Sequence, residues 1–407
     1  MTFIDLFAGI GGFRKGMEAN GHKCVLSCEI DNSARKSYSA IHNENIDSFP
    51  NDVTKLIIKN QLPKSYDVLC AGFPCQPFSR AGRREGFNND RSGNLFFSVM
   101  DIIDNTNPNI VFLENVKGLL TSGVIEEPDI DEKAKIKPKY VEVEKGLTFK
   151  IILQYLYEHG YDVQWQLINS AHFIAHKRER VYIIATKRKN TFNQIFPIHT
   201  TKKILDTKNL SFNKMLEDKD YEFTNESFQF SFDNNQELID LKTNKPFSFS
   251  KVSPWKNFGM MIDGKILTAK VKHEPKIIHK LSDYLEKGKI DSTYFLSKEE
   301  EEKQRYAKSS KTWKSGHKMG NMSFPDSIDR PSRTLTANSS GREMMVIEDP
   351  GTKRFRKLTA KEYYLLQGFQ EEDYNKVIKA GVSDNQIKKQ AGNAVTVSTI
   401  KAIAERF

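Results

Sequence analysis

A cysteine held between prolines is the residue of this chain best suited to covalent chemistry. Cys75 lies between Pro74 and Pro77, and these prolines fix two φ angles and favour extended backbone at their neighbours. The thiol is therefore presented on a stiff turn, where a nearby cation would favour the reactive thiolate. We predict that Cys75 is a nucleophile, whereas Cys24 and Cys28 share one apolar strand and are predicted to pack in the core.

A carboxylate and two guanidinium groups occupy positions where they can assist such a nucleophile. Glu114 ends an apolar run at 110–113, where a carboxylate is costly unless it faces a cleft or accepts hydrogen bonds. It is therefore a candidate acid with a shifted pKa. Arg178 and Arg180 precede another apolar run with i, i+2 spacing, so we expect both guanidinium groups on one side of an extended segment, where they suit an anionic substrate.

A glycine-rich turn between the first apolar run and a helix indicates a ligand site. Gly9, Gly11 and Gly12 let the backbone approach a ligand closely and expose helix N-terminal N–H groups. The dinucleotide fingerprint requires a small residue three positions after Gly11, but Arg14 stands there. Glu29 lies 20 residues beyond Gly9, the distance at which an acidic residue meets ribose hydroxyls. These residues predict an adenosine-containing cofactor and disfavour nicotinamide.

Short apolar runs alternate with helix-like stretches over the first 187 residues. This pattern predicts an α/β fold, a Rossmann-like and mainly parallel sheet with helices on both faces. The predicted strands are Thr2–Phe7, Lys23–Cys28, Asp67–Phe73, Asn109–Leu113, Val163–Ile168 and Arg180–Ala185. Ligands of such sheets bind at the carboxyl ends of the strands, which is where the glycine turn, Glu29, Cys75 and Glu114 fall.

Positive charge is concentrated in the region that follows. The chain has 62 Lys and Arg against 52 Asp and Glu, and the segment 187–330 has 27 against 20, which is +7 of the net +10. Such an excess favours a polyanionic partner. No apolar run reaches the roughly 18 residues of a membrane span, and four cysteines in the first fifth of the chain suit a reducing compartment. We therefore expect a cytoplasmic protein without a membrane partner.

Taken together, the ordered motifs resemble one family, the DNA (cytosine-5)-methyltransferases. The matches follow the family's order and cover most of 1–187 and 330–407. They are DLFAGIGGF at 5–13, Glu29, NDVT at 51–54, DVLCAGFPCQPFSRAG at 67–82, ENVKG at 114–118, RERVYI at 178–183, RPSRTLTA at 330–337, RKLTAKEYYLLQGF at 356–369 and QAGNAV at 390–395. The resemblance implies that 1–187 and 330–407 form a catalytic domain and that 188–329 is a smaller, irregular inserted target-recognition domain that binds DNA.

The resemblance also implies a role for each candidate residue. Cys75 would add to C6 of a cytosine flipped out of duplex DNA, and Glu114 would hydrogen-bond N3 and the amine of that base. Arg178 and Arg180 complete the catalytic set, and no metal is implied. S-Adenosyl-L-methionine would be held by Phe7, Gly9, Gly11, Gly12, Glu29, Ile30, Asp52, Pro74, Asn393 and Val395. DNA would be contacted by Gln76, Ser79, Arg80 and Arg91 of a closing loop.

One segment departs from the family pattern. Before the two arginines the family has a Gly-x-Pro-Gln turn, whereas this chain has FIAH at 173–176 and is one residue shorter. His176 either takes over the hydrogen bonding of the missing amide or lies on the surface, and we favour the surface position.

Three other functions compete with DNA methylation. A cytosine methyltransferase acting on RNA or tRNA is the main alternative. An adenosine-cofactor oxidoreductase is disfavoured by the incomplete glycine pattern, and a binding module without catalysis is disfavoured by the presence of Cys75 and Glu114. For the favoured function, the resemblance implies a monomeric modification enzyme of the bacterial cytoplasm, associated with the nucleoid through double-stranded DNA. A cognate restriction endonuclease that acts on the same site would be its partner.

Overall fold

The computed structural model describes residues 1–74, 95–126, 141–188, 190, 195–196, 223–233, 237–249, 252–271, 279–309, 322–337 and 343–407. The predicted nucleophile Cys75 lies outside the described residues. The same holds for all the predicted DNA contacts, which are Gln76, Ser79, Arg80 and Arg91. None of the helices in the described parts of the chain has the length and hydropathy needed to span a bilayer.

The described secondary structure alternates strands and helices in its first half and is mainly helical at its end. The strands are β1 Thr2–Leu6, β2 Lys23–Cys28, β3 Val68–Ala71, β4 Ile110–Val116, β5 Val124–Glu126, β6 Val141–Val143, β7 Tyr161–Asn169, β8 Glu179–Lys187, β9 Phe223–Phe232, β10 Leu238–Asp240, β11 Lys245–Pro246, β12 Phe258–Ile262, β13 Lys265–Val271, β14 Val346–Glu348 and β15 Phe355–Lys357. The helices are α1 Gly12–Glu18, α2 Asn32–His42, α3 Leu95–Thr106, α4 Leu147–Glu158, α5 Lys298–Ser309, α6 Ala360–Leu366, α7 Glu371–Lys379, α8 Asp384–Asn393 and α9 Val397–Ala404.

One large sheet organises the described residues, with the strand order β11-β10-β9-β13-β12-β7-β8-β4-β3-β1-β2. The strands β2, β1, β3 and β4 pair in parallel. Strand β8 runs antiparallel to both β4 and β7, so β7 points in the same direction as the first four strands. All six predicted strands are present and five of them share one direction, so the predicted α/β class is confirmed and the sheet is mainly parallel over these six strands.

The strands of the inserted region continue this same sheet. Strand β12 pairs antiparallel with β7, and β13, β9, β10 and β11 follow in order. The close approach of β12 to β7 requires Gly259, because a Cβ atom there would lie 2.0 Å from the Trp165 ring. The described strands of the insertion are therefore joined to the sheet by hydrogen bonds, and the assignment of 188–329 to target recognition stays a prediction.

The sheet buries apolar side chains on both faces. In β1, Ile4 and Leu6 pack in a cluster with α3 and α4 on one face. Phe3 belongs to a second cluster with α1 and α9 on the opposite face. The C-terminal helices thus pack back against the N-terminal strands, and a Cβ atom at Gly16 of α1 would lie 2.6 Å from Ile400 of α9. This packing brings the two ends of the chain together beside the carboxyl ends of the strands.

Candidate active site

A cavity of about 470 Å³ lies at the carboxyl ends of β1 to β4. Most of the predicted cofactor residues line it, namely Phe7, Gly9, Glu29, Ile30, Asp52, Pro74, Asn393 and Val395. The described members of the predicted catalytic set also line it, namely Glu114, Arg178 and Arg180. Gly11 and Gly12 do not line the cavity but form the turn behind it. The structure therefore brings together residues that lie almost 390 positions apart in the sequence.

The glycine turn after β1 is built from backbone conformations that few side chains adopt. Phe7, Gly9 and Gly11 have positive φ angles of 58°, 56° and 84°, and for Phe7 this left-handed conformation is strained, as is common at functional sites. Gly12 begins α1, and a Cβ atom there would lie 2.7 Å from both the side chain and the carbonyl oxygen of Val395. The turn therefore lies directly against the C-terminal segment.

The Glu29 carboxylate is fixed at the rim of the cavity by two backbone N–H groups. Its oxygens accept hydrogen bonds from Gly9 N–H at 2.7 Å and from Asp31 N–H at 2.8 Å. Asp31 in turn caps α2 by accepting from the N–H groups of Ser33 and Ala34. A carboxylate offers about four lone-pair directions, so Glu29 can accept further hydrogen bonds from a ligand in the cavity.

Asp52 presents a second carboxylate on the same side of the cavity. Its Oδ1 accepts from the hydroxyl and the N–H of Thr54 at 2.7 and 3.0 Å, and its Oδ2 lies 2.9 Å from Lys55 Nζ. The hydrogen bond from the Thr54 hydroxyl and the contact with Lys55 lower the pKa of Asp52. Asp52 is therefore an ionised acceptor, which suits the amino group of a purine.

Glu114 is a buried acid paired with one arginine. Strand β4 continues through Val116, so Glu114 lies within the strand and not after its end, and it is 8% exposed. Arg180 Nε lies 3.1 Å from Glu114 Oε1. Burial raises the pKa of Glu114 against the opposing charges of Arg180 and Arg178. The group can therefore hold a proton at a higher pH than an exposed glutamate.

The two predicted arginines have different contacts. Arg180 pairs with Glu114, whereas Arg178 is buried and its Nη1 donates to the carbonyl oxygens of Leu335 and Gly392 at 3.3 and 3.1 Å. Burial, with the nearby charge of Arg180, lowers the pKa of Arg178 to about 10. Arg178 thus joins the segments 330–337 and 390–395. The i, i+2 spacing suggested that the two arginines are equivalent, but they bind different partners.

The surface position favoured for His176 is wrong. The residue is fully buried, and its Nε2 accepts a hydrogen bond from the Leu335 N–H at 3.0 Å. The reason is a backbone bridge, in which Lys177 N–H donates to Ser332 O and Ser332 N–H donates to Ala175 O. This bridge turns the imidazole inward. Burial, together with the charges of Arg178 and Arg180, lowers the pKa of His176, so the ring is a neutral acceptor.

The sequence prediction missed several residues of the cavity. Asn115 is buried beside Glu114, and its Nδ2 donates to Phe73 O at 3.0 Å, which anchors the backbone just before Pro74. Its place in the ENVKG motif was the available signal. Gln390 also lines the cavity, and its place in the QAGNAV motif was a similar signal, whereas the lining residues Asp31 and Lys389 belong to none of the quoted motifs.

The fold and the cavity define an α/β enzyme with a ligand site at the carboxyl ends of parallel strands. The profile of the family C-5 cytosine-specific DNA methylase matches residues 1–128 and 138–407. The chain belongs to this family, and the family prediction is confirmed.

Individual relatives agree with this assignment. The chain is 32% identical over 414 residues to the Type II methyltransferase M.DsaV of Dactylococcopsis salina, across 100% of this chain and 86% of the relative. It is 42% identical over 196 residues to M.HpaII of Haemophilus parainfluenzae, across 47% of this chain and 48% of the relative. Among solved structures, the Dnmt2 methyltransferase of S. pombe is similar in fold, with a TM-score of 0.56, 16% identity and coverage of 100% of this chain and 96% of its own.

Proposed function

We propose that this chain transfers a methyl group from S-adenosylmethionine to C5 of a cytosine within a specific sequence of duplex DNA. The observation that carries the proposal is the shared cavity, into which the glycine turn, Glu29 and the Glu114–Arg180 pair all open. Membership of the C-5 cytosine-specific DNA methylase family supports the same reaction.

The residues of the cavity fit the proposed cofactor. Glu29 offers carboxylate lone pairs to ribose hydroxyls, and Asp52 offers an ionised acceptor to the adenine amine. At position 12 the close contact with Val395 leaves no room for a side chain, which is why glycine stands there. The holding set would be Phe7, Gly9, Gly11, Gly12, Glu29, Ile30, Asp52, Pro74, Asn393 and Val395. When bound, S-adenosylmethionine supplies a methyl group activated by its sulfonium charge.

The protein side chains must make an unreactive carbon nucleophilic. Cytosine C5 gains that character when a nucleophile adds at C6, and Cys75 is the proposed thiolate. Pro74, the residue before it, lines the cavity. Glu114 would donate a hydrogen bond to N3 as the sulfur–carbon bond forms, because its raised pKa favours the protonated acid. Once C5 carries the methyl group, loss of the C5 proton expels the Cys75 thiolate and restores the aromatic ring.

A cytosine inside a duplex cannot reach this cavity, so the base must be extruded. A second groove adjoins the cavity and shares Val116 and Arg180 with it. Its lining includes Lys177, whose cationic side chain suits phosphate oxygens beside the flipped nucleotide, and Lys117, which pairs with Glu179 of the same groove at 2.9 Å. The net charge of +7 over 187–330 supports DNA binding by the insertion. We assign further DNA contacts to Gln76, Ser79, Arg80 and Arg91.

The biological setting follows from the relatives. Several are named Type II methyltransferases, which supports a modification enzyme that protects a site from a cognate restriction endonuclease. We propose in addition that it acts as a monomer in the bacterial cytoplasm. RNA or tRNA methylation is the alternative outcome of the test below.

The test uses a methyl-labelled cofactor with duplex DNA and tRNA offered separately. We expect label in DNA alone, at C5 of one cytosine in a recurring sequence located by bisulfite sequencing. The exchange Cys75→Ser is expected to abolish methyl transfer, while the Kd for S-adenosylmethionine measured by calorimetry stays unchanged. Label in tRNA but not in DNA would overturn the proposed substrate, and full activity of Cys75→Ser would overturn the proposed nucleophile.

A further inference from the structure

We propose that Arg35 is a positioning residue for the adenosine half of the cofactor site. Arg35 does not line the cavity. It acts by holding together the two backbone segments that carry Glu29 and Asp52. The inference rests on the proposed use of S-adenosylmethionine.

Arg35 makes an unusually complete set of backbone hydrogen bonds. The side chain belongs to the first turn of α2 and is 7% exposed as a residue. Its Nη1 donates to the carbonyl oxygens of Glu29 at 3.1 Å and Pro50 at 2.8 Å. Its Nη2 donates to the carbonyl oxygens of Phe49 at 3.0 Å and Ile46. The guanidinium carbon also lies 4.3 Å from the centre of the Phe49 ring.

These carbonyl oxygens belong to two separate segments. Glu29 follows β2, while Ile46–Ser48 form a short 3₁₀ helix, and the residues after it lead to Asp52. The direct backbone hydrogen bond between the segments, from Glu29 N–H to Pro50 O, is 3.3 Å long. Arg35 adds donors to both sides of this junction. Its guanidinium therefore fixes the separation between the carboxylates proposed to bind ribose and adenine.

The contacts require arginine and not merely a positive charge. A guanidinium is planar and carries five N–H donors in a fixed fork, whereas a lysine has a compact ammonium group at the end of a flexible stem. A lysine at position 35 cannot satisfy carbonyl oxygens on both segments in the same geometry. The exchange Arg35→Lys therefore removes the guanidinium hydrogen bonds across the junction while keeping the charge.

The predicted effect falls on cofactor binding rather than on chemistry. Arg35 contacts neither Glu114 nor Arg180, so kcat at saturating cofactor should change by less than about twofold. Loss of the Arg35 contacts should misalign the Glu29 or Asp52 carboxylate with its ligand group. The Kd for S-adenosylmethionine should then rise on the order of tenfold, which is the effect of losing one hydrogen bond to a charged group. S-Adenosylhomocysteine carries the same adenosine, so its Kd should rise by the same factor.

The experiment compares the full-length wild type with Arg35→Lys, Arg35→Met and the control Arg356→Met. Arg356 is another buried arginine, but it pairs with Asp349 and Glu362 away from the cavity. Calorimetry gives Kd for both ligands, steady-state kinetics with duplex DNA gives KM and kcat, and thermal unfolding checks folding. We expect both Arg35 variants to raise Kd and KM, and Arg356→Met to lower Tm with Kd unchanged.

The possible outcomes separate this inference from the proposed function. If the wild type binds neither ligand, the proposed cofactor is wrong. If the wild type binds but folded Arg35 variants bind within about twofold of it, the positioning role is overturned. The role is also overturned if kcat and not KM carries the loss, or if both Arg35 variants fail to fold, because Arg35 would then serve the fold as a whole.

Discussion

The buried acid Asp5 in β1 gives the protein a pH-dependent stability that can be worked out from the structure. Strand alternation places Asp5 on the same face as Phe3, and the residue is fully buried. Burial raises the pKa of its carboxyl to about 8, and the nearby Arg14 offsets only part of this effect. In an unfolded chain the same carboxyl has a pKa of 3.8. At pH values between 3.8 and about 8, the folded protein therefore keeps a proton on Asp5 that the unfolded chain releases.

The sign and size of the effect follow from proton linkage. Because the folded pKa is raised, the contribution of Asp5 to stability is largest below pH 3.8 and falls as the pH rises towards about 8. Each pH unit in this window costs about 1.4 kcal/mol, so the wild type loses about 3 kcal/mol through this group between pH 5 and pH 7. Asp5→Asn has no proton to release. Its unfolding free energy, relative to the wild type, should therefore increase by about 3 kcal/mol over the same interval.

Urea unfolding of both proteins at pH 5, 6 and 7, followed by tryptophan fluorescence, measures this difference. Asp349→Asn is the matched control. Although burial opposes it, the contacts of Asp349 with Arg356 and Thr352 lower its pKa below 3.8, so its titration is complete before pH 5 and its difference from the wild type should be flat. A flat or falling difference for Asp5→Asn would refute the assignment of a raised pKa to this carboxyl.

Two further predictions concern the active site. Glu114→Gln cannot supply a proton, so the single-turnover rate constant of methylation should fall by about 10²- to 10⁴-fold while the Kd for S-adenosylmethionine is retained. The wild-type rate constant should decline as the pH rises through the raised pKa of Glu114. A variant with more than a tenth of the wild-type rate constant would contradict the acid role. His176→Leu leaves the Leu335 N–H without its acceptor and should lower the unfolding free energy by about 1–3 kcal/mol, whereas His176→Gln keeps an acceptor. Equal stability of the two variants in urea unfolding would contradict the role of this hydrogen bond.

The strands and the cavity were predictable from sequence because short-range patterns determine them. Apolar runs locate β1 to β4, and residues after such runs must meet at one edge of the sheet. The extent of β4 was less predictable. Glu114 and Val116 belong to the strand because they pair with Tyr182 and Arg180 of β8, and such distant pairing leaves no trace in a local apolar run. Glu114 was thus expected just after the strand, whereas it lies within β4, and its burial was not evident from the sequence.

Residues whose partners lie far along the chain were not predictable. The environment of His176 depends on Leu335 and Ser332, more than 150 positions away. Arg178 and Arg180 look equivalent in the sequence, and the approach of the Leu335 and Gly392 carbonyl oxygens to Arg178 sets it apart from Arg180. In each case a backbone N–H or carbonyl group is the partner, and backbone groups carry no residue-type signal.

The two ends of the chain depend on each other at the cofactor site. Gly12 lies against Val395, and Arg178 holds the carbonyl oxygen of Gly392, so the wall of the cavity formed by 392–395 exists only when the C-terminal helices pack on α1. A ligand that contacts both Glu29 and this wall binds the folded arrangement and not the unfolded chain. It must therefore stabilise the packing of α9 on α1 by RT ln(1 + [L]/Kd). Under the proposed function, cofactor affinity and the docking of the C-terminal segment are for this reason one coupled equilibrium, to which the motifs at 5–13 and 390–395 both contribute.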